Sequence, residues 1–404
     1  MNTRLPIIFL IALLLFTLFI IDDADAIPAF ARRYKISCNT CHAPFPKLKP
    51  YGDDFAGSGF ILQENEKERD YVTAGDDLLW MNKEFPVAAR FDAYGVYESD
   101  NDVQSDLQSP YGLKLLSGGT LYKNIGYYFY FYMSERGEVA GVEDAYVHFD
   151  NVFKTNLDIM VGQFQTSDPL MKRELRLTYE DYQIYKAHVG SSQANLAYDR
   201  GVMLVYGIEQ SGTDIIAQIV NGNGIHEAGE NRKFDADKFK NYGLRLNQGI
   251  GNFASIGLYY YSGEDISSTW DYQYTNNITY WGPDINIGLG PLELTAQYLV
   301  RQDSNPLFNN VNMDIATTGI IAELIYAPRL DRSRWYLTAL YNKISSDLDD
   351  VERLEDYGVS PLAYHSATLS GTYLLSRNLR LIAEYTREID QEINRIALGF
   401  VTAY

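Results

Sequence analysis

Ile393-Asn394-Arg395-Ile396-Ala397-Leu398-Gly399-Phe400-Val401-Thr402-Ala403-Tyr404 closes the chain, and its reading decides the fold. Ile396, Leu398, Phe400 and Tyr404 alternate with Arg395, Ala397, Gly399 and Val401. A period of two is a strand that shows a different face to each side. One face here is greasy and aromatic, the other polar or small. The pattern recurs upstream. Leu294, Ala296, Tyr298 and Val300 oppose Glu293, Thr295, Gln297 and Arg301. Leu379, Leu381, Ala383 and Tyr385 oppose Arg380, Glu384 and Thr386. A soluble sandwich alternates too, but a last strand that runs to the final residue and ends on an aromatic is typical of outer-membrane barrels.

Composition agrees. After residue 27 no apolar stretch approaches the length of a membrane helix. The chain holds 33 Tyr, 19 Phe and 31 Gly, and few leucine- and alanine-rich helical patterns. The alternation predicts sixteen strands, the first over 85–97 and the last over 393–404, with 111–121 and 253–263 among them. An even number of antiparallel strands is expected of a bacterial outer-membrane barrel. Tight connections, such as Ser211-Gly212 and Leu375-Ser376-Arg377, alternate with long ones at 98–110, 167–198, 222–238, 303–312 and 345–361. Short periplasmic turns and long outer loops give that rhythm, and place both chain ends in the periplasm. The expected fold is an all-β, sixteen-stranded antiparallel barrel over 85–404, its greasy face against outer-membrane lipid.

The start of the chain points the same way. Arg4 precedes an apolar run from Pro6 to Ile21, and Ala24-Asp25-Ala26 follows. A charged region, an apolar region and a small-residue site make a secretory signal peptide over 1–26. The other reading is an uncleaved anchor. Either leads out of the cytoplasm.

Cys38-Asn39-Thr40-Cys41-His42 carries the chemistry. Two thiols three positions apart, followed at once by histidine, are the pattern that attaches a c-type haem. Cys38 and Cys41 would form thioethers with the vinyl groups, and His42 would be the proximal iron ligand. A disulfide between the two would close a loop too short to stabilise much. A thioredoxin-like pair wants a βαβ context. Zinc wants a second Cys/His pair. Residues 27–84 supply this motif and little else. Fewer than about 60 residues bury too little surface to enclose a haem alone, and sixteen strands enclose a lumen. The expectation is a monohaem cytochrome c segment over 27–84 that folds into the barrel as a plug.

The chain then resembles a known family. Ile27-Pro28-Ala29-Phe30-Ala31-Arg32-Arg33-Tyr34, the Cys38–His42 motif, and Pro44-x-Pro46-Lys47-Leu48-x-x-Tyr51-Gly52-x-x-Phe55 look like the fused monohaem cytochrome–porins. Val161-Gly162-Gln163-Phe164-Gln165 and the stretch from Asp168 to Leu177 look like the region after the fifth strand in that family. Its best-known members are outer-membrane iron oxidases. The resemblance implies Fe(II) oxidation at the cell surface and electron delivery to a periplasmic c-type cytochrome. The activity implied is that of an Fe(II):cytochrome c oxidoreductase.

A sixth iron ligand is expected from Met or His. Met81 is the candidate, just ahead of the first strand where a plug would fold back; the alternative is that Met81 merely packs there. His188, in the 167–198 connection, is the rival, and His148, His226 and His365 are the remaining histidines. The net charge of −19, about −17 without a leader holding one arginine and three aspartates, argues against nucleic acid. It favours cations. Carboxylates gather at Glu98, Asp100, Asp102 and Asp106, at Glu227 and Glu230 beside His226, and from Asp347 to Asp356. These are either landing points for Fe(II) or simply solvated loops. The 167–198 connection mixes Lys172, Arg173 and Arg176 with Glu174, Glu180 and Asp181 among Leu175, Leu177 and Tyr179. Such a long loop either packs inside the lumen or folds on the surface. Three functions compete: an electron conduit, a diffusion porin whose haem segment is a plug or redox sensor, and an enzyme acting at an open iron site.

Overall fold

The computed structural model describes residues 29–62, 71–72, 74–76, 78–83, 85–99, 104–135, 137–139, 141–167, 170–229, 232–235, 237–268, 273–310 and 313–404. The leader assigned to 1–26, Ile27-Pro28, Asp100, Asp102, Asp168, Pro169 and Glu230 lie outside them.

Among the described residues sixteen antiparallel strands close into one barrel. They are β1 Val87–Glu98, β2 Ser105–Tyr122, β3 Ile125–Glu135, β4 Gly141–Phe149, β5 Leu157–Phe164, β6 Asp199–Ile208, β7 Thr213–Val220 and β8 Asn241–Ile250. Then follow β9 Ala254–Ser268, β10 Gln273–Leu289, β11 Leu292–Asp303, β12 Ile315–Tyr326, β13 Trp335–Ser346, β14 Tyr364–Ser376, β15 Leu379–Glu388 and β16 Ile393–Ala403. Each strand pairs with its sequence neighbours. β16 closes the ring on β1, from Arg395 opposite Glu98 to Ala403 opposite Arg90.

The two faces of the alternation are inverted relative to a soluble protein. Leu398 is 59% exposed and Leu369 55%, whereas Arg380 and Glu384 are 2% and 3% exposed. Thr368, Ser370, Thr372, Thr386 and Asn342 are buried as well, all pointing into the lumen. An outward belt of Leu, Ile and Tyr around an interior of Thr, Arg and Glu is a surface that hydrocarbon solvates better than water. Aromatic pairs thicken the belt near the end that carries the C-terminus: Phe91 with Phe400 at 5.8 Å, and Tyr326 with Trp335 at 5.9 Å.

Two strands exceed the expected limits. β9 runs on to Ser268, and β2 begins at Ser105, so the connection taken as 98–110 spans only 99–104. The register explains the second. Asp92 faces Gly112 and Tyr94 faces Gln108, so Ser109-Pro110-Tyr111 bulges opposite a single residue. Proline supplies no ladder donor, and a bulge breaks the period that marks a strand.

The lumen is filled from both ends. From the terminal end come α1 Ala29–Tyr34, α2 Cys38–Cys41 and α3 Pro50–Gly57. Phe30, Phe55 and Phe60 form an aromatic knot, and Phe60 stacks on Tyr128 of β3 at 5.1 Å. Polar contacts tie the segment to the inner wall. Lys47 pairs with Glu293 at 2.8 Å and with buried Glu323 at 3.7 Å. Lys49 pairs with Asp331 at 2.5 Å, Tyr336 Oη donates to the Phe45 carbonyl at 2.8 Å, and Arg32 donates to the Val87 carbonyl. Close packing needs bare backbone on both sides: a Cβ at Gly126 would lie 2.3 Å from the Gly59 carbonyl oxygen.

From the far end the 165–198 connection turns inward. Tyr182, Ile184, Tyr185 and Leu196 are buried against Tyr259, Tyr280, Leu299 and Ile321 of the wall. This is the inward course of the two open for this loop. Its mixed charges are spent on the wall and on itself. Arg173 grips Asp181 through two hydrogen bonds of 3.3 and 2.7 Å. Glu384 of β15 accepts from the backbone N–H groups of Tyr179 and Glu180 at 2.7 and 2.8 Å.

Candidate haem-binding cavity

Cys38, Cys41 and His42 open onto one cavity. α2 is a single turn, and its i,i+3 spacing brings both thiols to one side. The cysteines are free rather than bridged. Burial raises the pKa of each, so both stand as thiols. A Cβ at Gly52 would lie 2.2 Å from the Cys41 carbonyl oxygen, so this glycine is what lets α3 lie directly on the motif.

Downstream the chain bends under the histidine ring. Ala43 N–H donates to the Lys47 carbonyl at 3.1 Å, and Lys49 N–H to the Cys41 carbonyl at 2.9 Å. That turn sets the Pro46 carbonyl oxygen 2.5 Å from His42 Nδ1. A carbonyl can only accept, so Nδ1 carries the proton and Nε2 presents its lone pair. Burial pulls the His42 pKa down to about 4, against the raising effect of the Pro46 and Lys47 carbonyls. The ring is therefore neutral at pH 7, with tautomer and orientation held by a backbone acceptor, as metal-bound imidazoles usually are.

The other lining comes from three places. The segment adds Phe30, Ile36, Phe45, Leu48, Phe55 and Phe60, and the wall adds Leu116, Tyr128, Tyr130 and Tyr146. The inward connection closes the far side with Gln165, Lys172, Glu174 and Leu175. Two thiols, one oriented neutral imidazole and a mostly apolar enclosure are the donor set and surroundings that a c-type haem requires. The residues present fit the group.

The other ligand candidates lie elsewhere. Met81 pairs with Val72 in a two-residue ladder, is 48% exposed and does not line this cavity. Its neighbour Asn82 donates to the Thr120 carbonyl, which anchors that ladder at the barrel rim. His148 is buried on β4, with its ring packed against Gly59 on the other side of the segment. His188 contacts Ser192 and Asn195 within the inward connection. His226 lies in the connection after β7, and His365 on β14 contacts Tyr341 and Asp390. The structure brings none of these to His42.

Beyond the inward connection is a second cavity of about 540 Å³. Asp106, Gln108, Tyr111, Tyr179, Glu180, Asp181, Lys186 and Arg395 line it. Two of its three carboxylates are in ion pairs, Asp181 with Arg173 and Lys186 and Glu180 with Arg395, while Asp106 accepts from Gln108 at 2.9 Å. Among the described residues no three His, Cys, Asp or Glu side chains converge to hold a metal ion. The two cavities are separated by a short run of the connection, because Leu175 lines one and Tyr179 the other. Four residues span at most about 14 Å.

Sequence reasoning passes over Gln165, Tyr128, Tyr130 and Tyr146. Tyr128 and Tyr130 belong to Tyr127-Tyr128-Phe129-Tyr130-Phe131-Tyr132, in which both strand faces are aromatic, so alternation does not say which points inward; Tyr146 lies on β4. Gln165 sits one residue beyond β5, where the period ends.

No family model matches the chain, and no curated protein matches it. Solved structures do share the fold. OmpT, an outer membrane protein of Vibrio cholerae, superposes with a TM-score of 0.56 at 11% identity, over 80% of this chain and 99% of its own. An anion-selective porin from Comamonas acidovorans gives 0.56 at 11% identity with the same coverage. OprB of Pseudomonas putida gives 0.53 at 14% identity, over 80% of this chain and 94% of its own. The barrel shares its fold with these outer-membrane proteins.

Proposed function

We propose that the chain is an outer-membrane electron conduit. One covalent haem c at Cys38, Cys41 and His42, inside a porin-like barrel, takes single electrons from an extracellular donor, Fe(II) ahead of others. It passes them to a c-type cytochrome in the periplasm, on the side of the chain termini. On this reading 27–84 is the haem-bearing plug, 85–404 the barrel and 1–26 the leader. The observation that carries it is the opening of both thiols and the oriented His42 Nε2 onto one apolar cavity. When bound, the haem supplies a one-electron carrier. The protein's own residues do the rest. Pro46 orients the proximal imidazole, the aromatic knot excludes water, and the inward connection stands between the cavity and the outer chamber. A donor in that chamber would give up its electron across the short run of the connection between Leu175 and Tyr179 and leave on its own side. It needs no tight metal site.

The fold neighbours favour the other reading, a diffusion porin whose N-terminal segment is a plug or sensor. Conductance and spectroscopy separate the two. The purified, oxidised protein is treated anaerobically with Fe(II). Prompt appearance of reduced c-type bands is expected. A haem that dithionite reduces but Fe(II) does not would remove iron as donor. Absence of covalent haem from protein made in a host that matures c-type cytochromes would remove the conduit.

A further inference from the structure

Resting on that haem reading, we propose that the sixth coordination position is left to an exchangeable small ligand, water in the resting protein, and that Gln165 is its hydrogen-bonding partner.

The first support is a census of possible ligands. Every histidine, and every methionine after Met1, falls in a described residue, and apart from His42 none of them lines the cavity. Met171, next in sequence to a lining residue, instead belongs to the buried apolar cluster that the connection forms with the barrel wall. The strong endogenous sixth ligands of cytochromes are therefore placed away from the site.

The second support is the state of the polar groups that line the cavity, among which Asp144 of β4 already has an interaction within the protein. Glu174 already accepts from Tyr198 at 2.8 Å and Tyr132 at 3.2 Å. Arg90 holds Asp92 through two 2.8 Å bonds. Lys172 interacts electrostatically with the Asp53 carboxyl, and a lysine ammonium has no lone pair to give. Gln165 is different. It is 2% exposed, and its amide oxygen has no hydrogen-bond partner. Burying an amide without a partner is costly, so such groups usually mark a partner from outside the chain. An iron-bound water could donate to that oxygen, and a half-turn of the amide would offer its NH2 to an anionic ligand.

The test uses the full-length holoprotein in detergent. A pyridine haemochrome assay first establishes c-type attachment; its failure would sink the haem reading itself, which keeps the two failures distinct. The ferrous protein is then exposed to CO and the ferric protein to cyanide. Ready binding of both is expected, unaltered in Met81→Ala. In Gln165→Leu, and in the smaller Gln165→Val, neither of which can ligate iron, cyanide dissociation should quicken about two- to tenfold, the worth of one hydrogen bond. A six-coordinate low-spin haem that refuses CO would overturn the proposal. So would CO binding that appears only in Met81→Ala or only in Lys172→Leu, since each would name an endogenous ligand. Unchanged cyanide dissociation in both Gln165 variants would remove Gln165 from the role.

Discussion

Lys47 shows how much one side chain does in this molecule. Its burial works to lower the ammonium's pKa, but Glu323 and Glu293 outweigh that and raise it. Lys47→Met should cost about 3 kcal/mol, because Glu323 would stay buried without its cation. The loss should appear as faster proteolysis and faster hydrogen exchange confined to 29–62, and Lys47→Met combined with Glu323→Gln should recover most of it. A single variant as well protected as wild type would show that the aromatic knot alone holds the segment. At the same scale, the Cys38–His42 motif was readable from residue types because Cys-x-x-Cys-His is a local pattern. The acceptor for His42 Nδ1 was not, since Pro46 is one of many carbonyls until the turn is folded.

The 165–198 connection is the element on which the lumen depends. Burial alone would raise the Asp181 carboxyl, but Arg176 and Arg173 overwhelm it and hold the group far below the ordinary carboxylate range. A depressed folded pKa means stabilisation that is present above the unfolded value of about 3.9 and lost as pH falls from there toward the folded one. The connection should therefore keep its place from neutral pH down to about pH 4 and loosen only in stronger acid. Asp181→Asn should loosen it at pH 7, at a cost of about 3 kcal/mol from two arginines left without their anion. Single-channel recording against pH tests both. A rise in wild-type conductance between pH 7 and 5 would contradict the assignment. β2 teaches the opposite lesson about legibility. Its first six residues look like loop because a proline and a three-residue bulge interrupt the period, and only pairing with β1 makes them strand.

For the whole molecule the prediction is a barrel that passes few ions. The N-terminal segment occupies the lumen from one end and the inward connection from the other, so conductance in planar bilayers should fall well below that of an open sixteen-stranded porin. Removing 29–62 should raise it only in part, because the inward connection still crosses the lumen. Wild-type conductance equal to that of an open porin would favour diffusion over electron transfer.

Alternation along most of the strands was sufficient for the barrel, since the two faces of a pleat meet different surroundings and the period needs no knowledge of partners. The thiols and histidine at 38–42 were equally plain, because their chemistry depends on spacing within one turn of chain. Tertiary structure alone decided what surrounds them. Met81 and the other histidines are separated from His42, and Gln165 and Lys172 brought to its cavity, by a plug and an inward loop that meet from opposite ends of the lumen. Contacts between residues more than a hundred positions apart follow from how the closed barrel is filled, and no local pattern encodes them.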